Sequence, residues 1–161
     1  MPNWLYLLAS ALYHLGLAVW IGGAIALGAL TAPALFRALP RSEAGKVFGT
    51  ILRRFARVRL MALAMIVSGA AAKYFGWETH ATSTGSWVWI ALRWLAIAVM
   101  ALILLYELLS LEKSIERSRT AFAPDAPADD PKRAAFNRLH RRAEGLMRLS
   151  LAAALIALVF S

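Results

Sequence analysis

His14, Arg93 and Glu107 each interrupt a long apolar run. An ionisable group in such a segment is costly enough to be a functional candidate by default. His14 lies ten residues after Trp4, about 15 Å along a helix. An imidazole at that depth can ligate haem or copper, accept a proton, or hydrogen-bond between two helices as a neutral group. Ala18, Gly22 and Ala26 follow it at helical spacing, a small-residue stripe of the kind that lets helices approach closely. His14 is therefore expected to face neighbouring helices rather than lipid. Arg93 and Glu107 are fourteen residues apart with Met100 midway, so the two charges share one helix face to within about 40°. One reading makes a cofactor pocket, with His14 and Met100 as ligands to haem b or copper and Arg93 holding an anionic group such as a propionate. The other sends Arg93 and Glu107 to opposite interfaces by snorkelling and leaves His14 as structural glue. Met61, Met65 and Met147 also lie in or near apolar runs, where thioethers serve chiefly as packing.

The elements that must position these residues follow from composition. Of 161 residues, 60% are hydrophobic and 17% charged, against about 25% charged in soluble domains, and the apolar residues form long uncharged runs. An all-α integral membrane four-helix bundle is expected, with spans at about 4–30, 58–77, 87–111 and 146–160. The first run lacks a basic leader and is too long for a signal peptide, so it is expected to remain as a span. Its Gly22-Gly23, Gly28 and Pro33 predict tilt or a kink. Lys73, near the end of the second span, is expected to snorkel outward. An interfacial helix is expected over about 42–57, capped by Ser42, with Val47, Ile51, Phe55, Val58 and Ala62 at helical spacing. A linker at about 120–131 ends with Asp130 as N-cap and Pro131 at the first helical position.

Sixteen of the 18 Lys and Arg residues fall between Arg37 and Arg59 or between Lys113 and Arg148. The stretch from Gly76 to Ser86 has none. The positive-inside rule then places both basic segments in the cytoplasm and both chain ends outside, in a multi-pass protein of the cell (inner) membrane. The net charge of +9 belongs to those segments and does not imply a nucleic-acid partner. The expected partners are the bilayer and other membrane subunits or further copies of the chain. The absence of cysteine excludes thiolate chemistry and disulfides. Catalytic triads, phosphate loops and HExxH are absent as well, which disfavours hydrolytic and phosphoryl-transfer enzymes. A non-catalytic accessory subunit, a haem or copper redox protein and an oligomeric transporter remain as readings.

The stretch Tyr13-His14-Leu15-Gly16-Leu17-Ala18-Val19-Trp20-Ile21-Gly22-Gly23, with Ala32-Pro33-Ala34-Leu35-Phe36-Arg37, Ala44-Gly45-Lys46-Val47-Phe48-Gly49 and Phe136-Asn137-Arg138-Leu139-His140, resembles the small four-helix proteins similar to transmembrane protein 205. That resemblance implies a four-helix membrane fold and an association with tolerance to platinum drugs. It covers helices one, two and four; the charged Arg93 and Glu107 depart from it. His14 with Trp20, the basic loop and the Trp89-to-Arg93 spacing also resemble HemJ, a haem b protoporphyrinogen oxidase, and the copper-resistance protein CopD. HemJ carries a lysine where this chain has Arg93, and arginine cannot deprotonate to act as a base. The second resemblance therefore implies haem or copper binding through His14 more readily than oxidase activity.

Overall fold

The computed structural model describes residues 3–80, 84–111, 114 and 130–161, and all their regular structure is helical. Helix α1 (Asn3–Ile25) passes through a wide π-helical turn (Ala26–Thr31) into α2 (Ala32–Ala38). Pro33 explains the wide turn. Proline has no N–H to donate, and its ring crowds the carbonyl four residues back, here Ala29. The widened register relieves this: Ala32 N–H bonds the Leu27 carbonyl, and the Thr31 hydroxyl donates to Ala26 O at 3.1 Å. Where the sequence predicts tilt or a kink, the helix widens into a π turn. Leu39 and Pro40 are extended and reverse the chain.

Helix α3 runs unbroken from Arg41 to Gly76. The segment at 42–57 is therefore not a separate helix: it is continuous with the helix that carries the second candidate span. No helix breaker stands between Arg53 and Leu60, and the buried stripe continues at helical spacing through Ala56, Ala62, Ile66 and Ala70. Ser42 lies one residue inside the helix, behind Pro40, and does not cap it. After a short 3-10 turn (Glu78–His80), α4 (Thr84–Tyr106) runs into a second π turn (Glu107–Leu111). Helix α5 (Pro131–Val159) starts at the proline the sequence singled out, with the Asp130 carbonyl accepting from Ala134 N–H at 2.9 Å. The remainder of the linker, 120–129, lies outside the described residues.

Around the core the helices neighbour one another in the order α1, α3, α4, α5 and back to α1, with α1 on α3 the most extensive interface. Glycines allow that closeness. A Cβ at Gly69 would stand 2.6 Å from Ala9 O, and one at Gly16 2.7 Å from Ala62 O. The core is filled by Tyr13, Leu17 and Trp20 from α1, Ile66 from α3, Met100 and Leu104 from α4, and alanines of α3, α4 and α5. Outward, large apolar side chains face the surroundings, among them Leu7, Leu15, Leu30, Phe75, Leu95 and Leu102. Three helices, Asn3–Ala38, Ser42–Gly76 and Trp87–Ser110, are long and apolar enough to cross a membrane. The apolar part of α5 is shorter, and it packs on α4 and α1.

Candidate functional site

Buried charge gathers in two clusters at different depths. In the first, Arg59 of α3 is 8% exposed and donates to Glu107 at 2.5 Å. Its other terminal nitrogen donates to Ser150 Oγ of α5 at 3.3 Å, and its guanidinium lies 4.5 Å from the ring centre of Trp20 on α1. Trp20 Nε1 donates to the same Ser150 oxygen at 3.1 Å, whose two lone pairs serve both donors. The π turn that opens at Glu107 carries its carboxylate. One cation, one anion, a hydroxyl and an indole from four stretches of chain thus close on one another. A cluster so matched locks helices together, because removing any member strands a buried partner.

The second cluster lies near Trp77. Arg93 of α4 is 3% exposed and makes a two-pronged ion pair with Glu78, one prong at 2.8 Å to Oε1 and the other to Oε2. Such fork geometry gives strong, directional pairing. Lys73 of α3 is also 3% exposed. Its Nζ lies 5.7 Å from the ring centre of Tyr6 and 5.4 Å from that of Tyr13, cation–π distances. Tyr13 donates its hydroxyl to the Ala157 carbonyl at 2.5 Å, in the last turn of α5, where helix carbonyls lack intrahelical donors. Tyr74 meets Trp94 edge-on at 6.4 Å, and Tyr6 meets Trp77 at 5.1 Å. A groove lined by Asn3, Tyr6, Leu7 and Trp77 opens beside the cluster.

The residues singled out in the sequence are distributed as follows. Arg93 and Glu107 are both ion-paired, with Glu78 and Arg59 and not with each other. Met100 is fully buried in the apolar core. His14, on the α5 side of α1, has both ring nitrogens engaged: Nδ1 lies 2.7 Å from Ser10 O, which can only accept, and Nε2 lies 3.1 Å from Ser161 Oγ. Helices α1 and α4 are not among the pairs in extensive contact, and among the described residues no hydrogen bond or ion pair joins His14, Met100 and Arg93. No group of three metal-capable side chains occurs among the described residues. Ala18 and Gly22 are exposed, Ala26 is partly buried, and a Cβ on Gly22 would meet nothing within 4 Å. Within the chain, the close helix approach uses Gly16 on the opposite face of α1 and Gly69 of α3. Lys73 turns inward, where snorkelling was expected, because Tyr6 and Tyr13 offer its ammonium their faces.

Arg59, Lys73, Glu78 and Ser150 were not singled out as site residues by sequence reasoning. A signal did exist for all but Glu78. Arg59 and Lys73 fall on the same turn positions as Ala62, Ile66 and Ala70, so a wheel drawn through α3 puts both cations on the core face. Ser150 carries the same mark, at helical spacing from Ala153, Ala154 and Ala157, whereas Glu78 carries none.

These features define an all-helical membrane protein with two buried charge clusters set between its helices. A family model described as a domain of unknown function (DUF4149) matches residues 15–121, and the chain belongs to that family. No curated protein and no solved structure matches it.

Proposed function

We propose that the chain is a four-span membrane protein of the cell (inner) membrane, with both ends outside, that acts through its helix surfaces as an accessory subunit of a membrane complex. The observation that carries this reading is the face of α1 bearing Ala18 and Gly22. Both are small residues, yet among the described residues no helix covers them. In a bilayer, small residues matter where backbones must come close. The closed core and internally matched Arg59 cluster also favour action at the surface over conduction through the chain. The resemblance to proteins of the transmembrane protein 205 type agrees with a fold lacking catalytic motifs, and the placement of basic residues supports the orientation.

The absence of native cysteine permits a clean test of topology. Thr79→Cys should react with an impermeant maleimide in intact cells, and Thr50→Cys only after lysis; the reverse pattern removes the proposed orientation. For the contact face, a photo-crosslinking residue at position 18 should give a discrete protein adduct in membranes that is lost with Gly22→Leu, whereas the same probe at Leu95 should label lipid. Lipid labelling alone from position 18, together with a monodisperse monomer in mild detergent, would remove the accessory role.

A further inference from the structure

The two charge clusters differ in one respect that the helix-contact reading does not use. Arg59 is met by Glu107, by Ser150 and by the face of Trp20. Around Lys73 the matching is less complete: Lys73 and Arg93 are two cations, and among the described residues Glu78 is ion-paired with Arg93 and not with Lys73. Among the described residues, Lys73 Nζ makes no hydrogen bond or ion pair and has only aromatic faces beside it. Arg93 Nε is buried without a hydrogen-bond partner, alone in this among the buried side-chain nitrogens and oxygens of the described residues. Tyr74 and Trp94, the residues that follow Lys73 and Arg93 in the chain, meet edge-on at 6.4 Å, so α3 and α4 come together at this level, and Glu78, one turn beyond Lys73, reaches Arg93. Two donors are therefore left open within one neighbourhood that, among the described residues, sets two cations against the acid Glu78. In a poorly polarisable setting such donors stay costly until an acceptor meets them.

Access and depth indicate the class of acceptor. The groove lined by Asn3, Tyr6, Leu7 and Trp77 shares Tyr6 with the Lys73 site. Trp4, Tyr6 and Trp77 are the residue types that settle at the membrane–water boundary, where phosphate groups of lipids lie. Below them the exposed side chains are apolar, with Leu7 66% exposed. A singly charged oxyanion reaching Lys73 along this groove would neutralise the cluster and supply acceptors to both open donors.

We propose that Lys73 and the unpartnered Nε of Arg93, behind Tyr6 and beside the groove at Trp77, form a binding site for a phosphate-type oxyanion. The oxyanion is carried either by a phospholipid headgroup or by free phosphate. Glu78 holds Arg93 in place and competes with the ligand for it. The site is independent of any partner at Ala18 and Gly22.

The test uses the full chain, delipidated in an uncharged detergent, as wild type, Lys73→Met and Lys73→Arg. Thermal unfolding followed by tryptophan fluorescence is measured with inorganic phosphate against chloride at equal ionic strength. It is repeated in nanodiscs of phosphatidylglycerol against a phosphate-free glycosyl diacylglycerol. A ligand present at about a hundredfold over its Kd should raise Tm by roughly 5–10 °C, in wild type and Lys73→Arg but not in Lys73→Met. A shift with inorganic phosphate identifies a free oxyanion; a shift with phosphatidylglycerol alone identifies a lipid headgroup. Equal shifts in wild type and Lys73→Met overturn the proposal, as does no shift of the wild type with either probe. Should Lys73→Met not fold, phosphorus NMR of the wild type decides. A broadened, displaced phosphate resonance supports the site, and an unperturbed one in both preparations overturns it.

Discussion

Arg59 and Arg93 are both buried arginines paired to a glutamate, but their surroundings give them different work. Arg59 meets Glu107, Ser150 and the face of Trp20, so its cluster draws on α1, α3, α5 and the π turn after α4 and sets its cation against an acid, a hydroxyl and an indole. Among the described residues Arg93 meets Glu78 alone and keeps an unpaired Nε, and a second cation, Lys73, stands at the same level of α3, where Tyr74 touches Trp94. The first arrangement is complete and serves as a clamp. The second is incomplete and lies beside a groove. Residue types do not separate a lock from a site; charge balance and hydrogen-bond completeness do.

The sharpest way to break this contrast is to unmatch the clamp. Glu107→Gln leaves Arg59 buried without its counter-charge, and losing one partner of a buried pair costs about 3–5 kcal/mol. Reversible unfolding in detergent should show the largest loss here, and a loss below that of the next variant would contradict the role as a clamp. Glu78→Gln should cost less, about 1.5–3 kcal/mol, because its side chain is at the rim of its cluster. It should also tighten phosphate binding, since the competing carboxylate is gone, which titration calorimetry can read. A stability loss with weaker phosphate binding would assign Glu78 to the ligand site itself.

Smaller effects test the frame that holds both clusters. Gly69→Ala puts a methyl group against Ala9 O and Tyr13, and overpacking of this kind costs about 1–3 kcal/mol. Because Tyr13 also faces Lys73, the variant should disturb the Lys73 cluster before the Arg59 cluster, as judged by which of two single-cysteine reporters gains reactivity first on heating. Tyr13→Phe removes one hydrogen bond to the Ala157 carbonyl and should cost about 0.6 kcal/mol, the average for such bonds within membranes. Gly22→Ala, with open space around it, should change the isolated chain's stability by less than about 0.5 kcal/mol. Its effect belongs instead to association in the membrane, measurable as energy transfer between labelled copies or with a partner.

Legibility followed physical range. The apolar runs, Pro131 as a helix start and the disturbance before Pro33 could be read locally, because each depends on residues within a turn or two. The join between the 42–57 segment and the second span was readable in principle from the continued stripe through Ala62 and Ile66. The basic composition of 42–57 instead suggested a surface helix. Partners of the intramembrane charges were not readable. Glu107 is 48 residues from Arg59, and Trp20 is 130 residues from Ser150. Helical spacing places a side chain on a face but says nothing of which helix stands opposite.

The sequence by itself determined that this is a helical membrane protein, where its long apolar helices lie, and that Arg93 and Glu107 stand inside them, because burial in lipid demands apolar length and satisfied backbone whatever the neighbours are. Only the tertiary structure decided that α1 and α4 make no extensive contact, that His14 is engaged by Ser10 and Ser161 and not by Met100, and that one charge cluster closes while the other stays open. Those outcomes depend on which helix faces are brought together. That choice is set by close approach at Gly16 and Gly69 and by pairing across tens of residues, which no local pattern records.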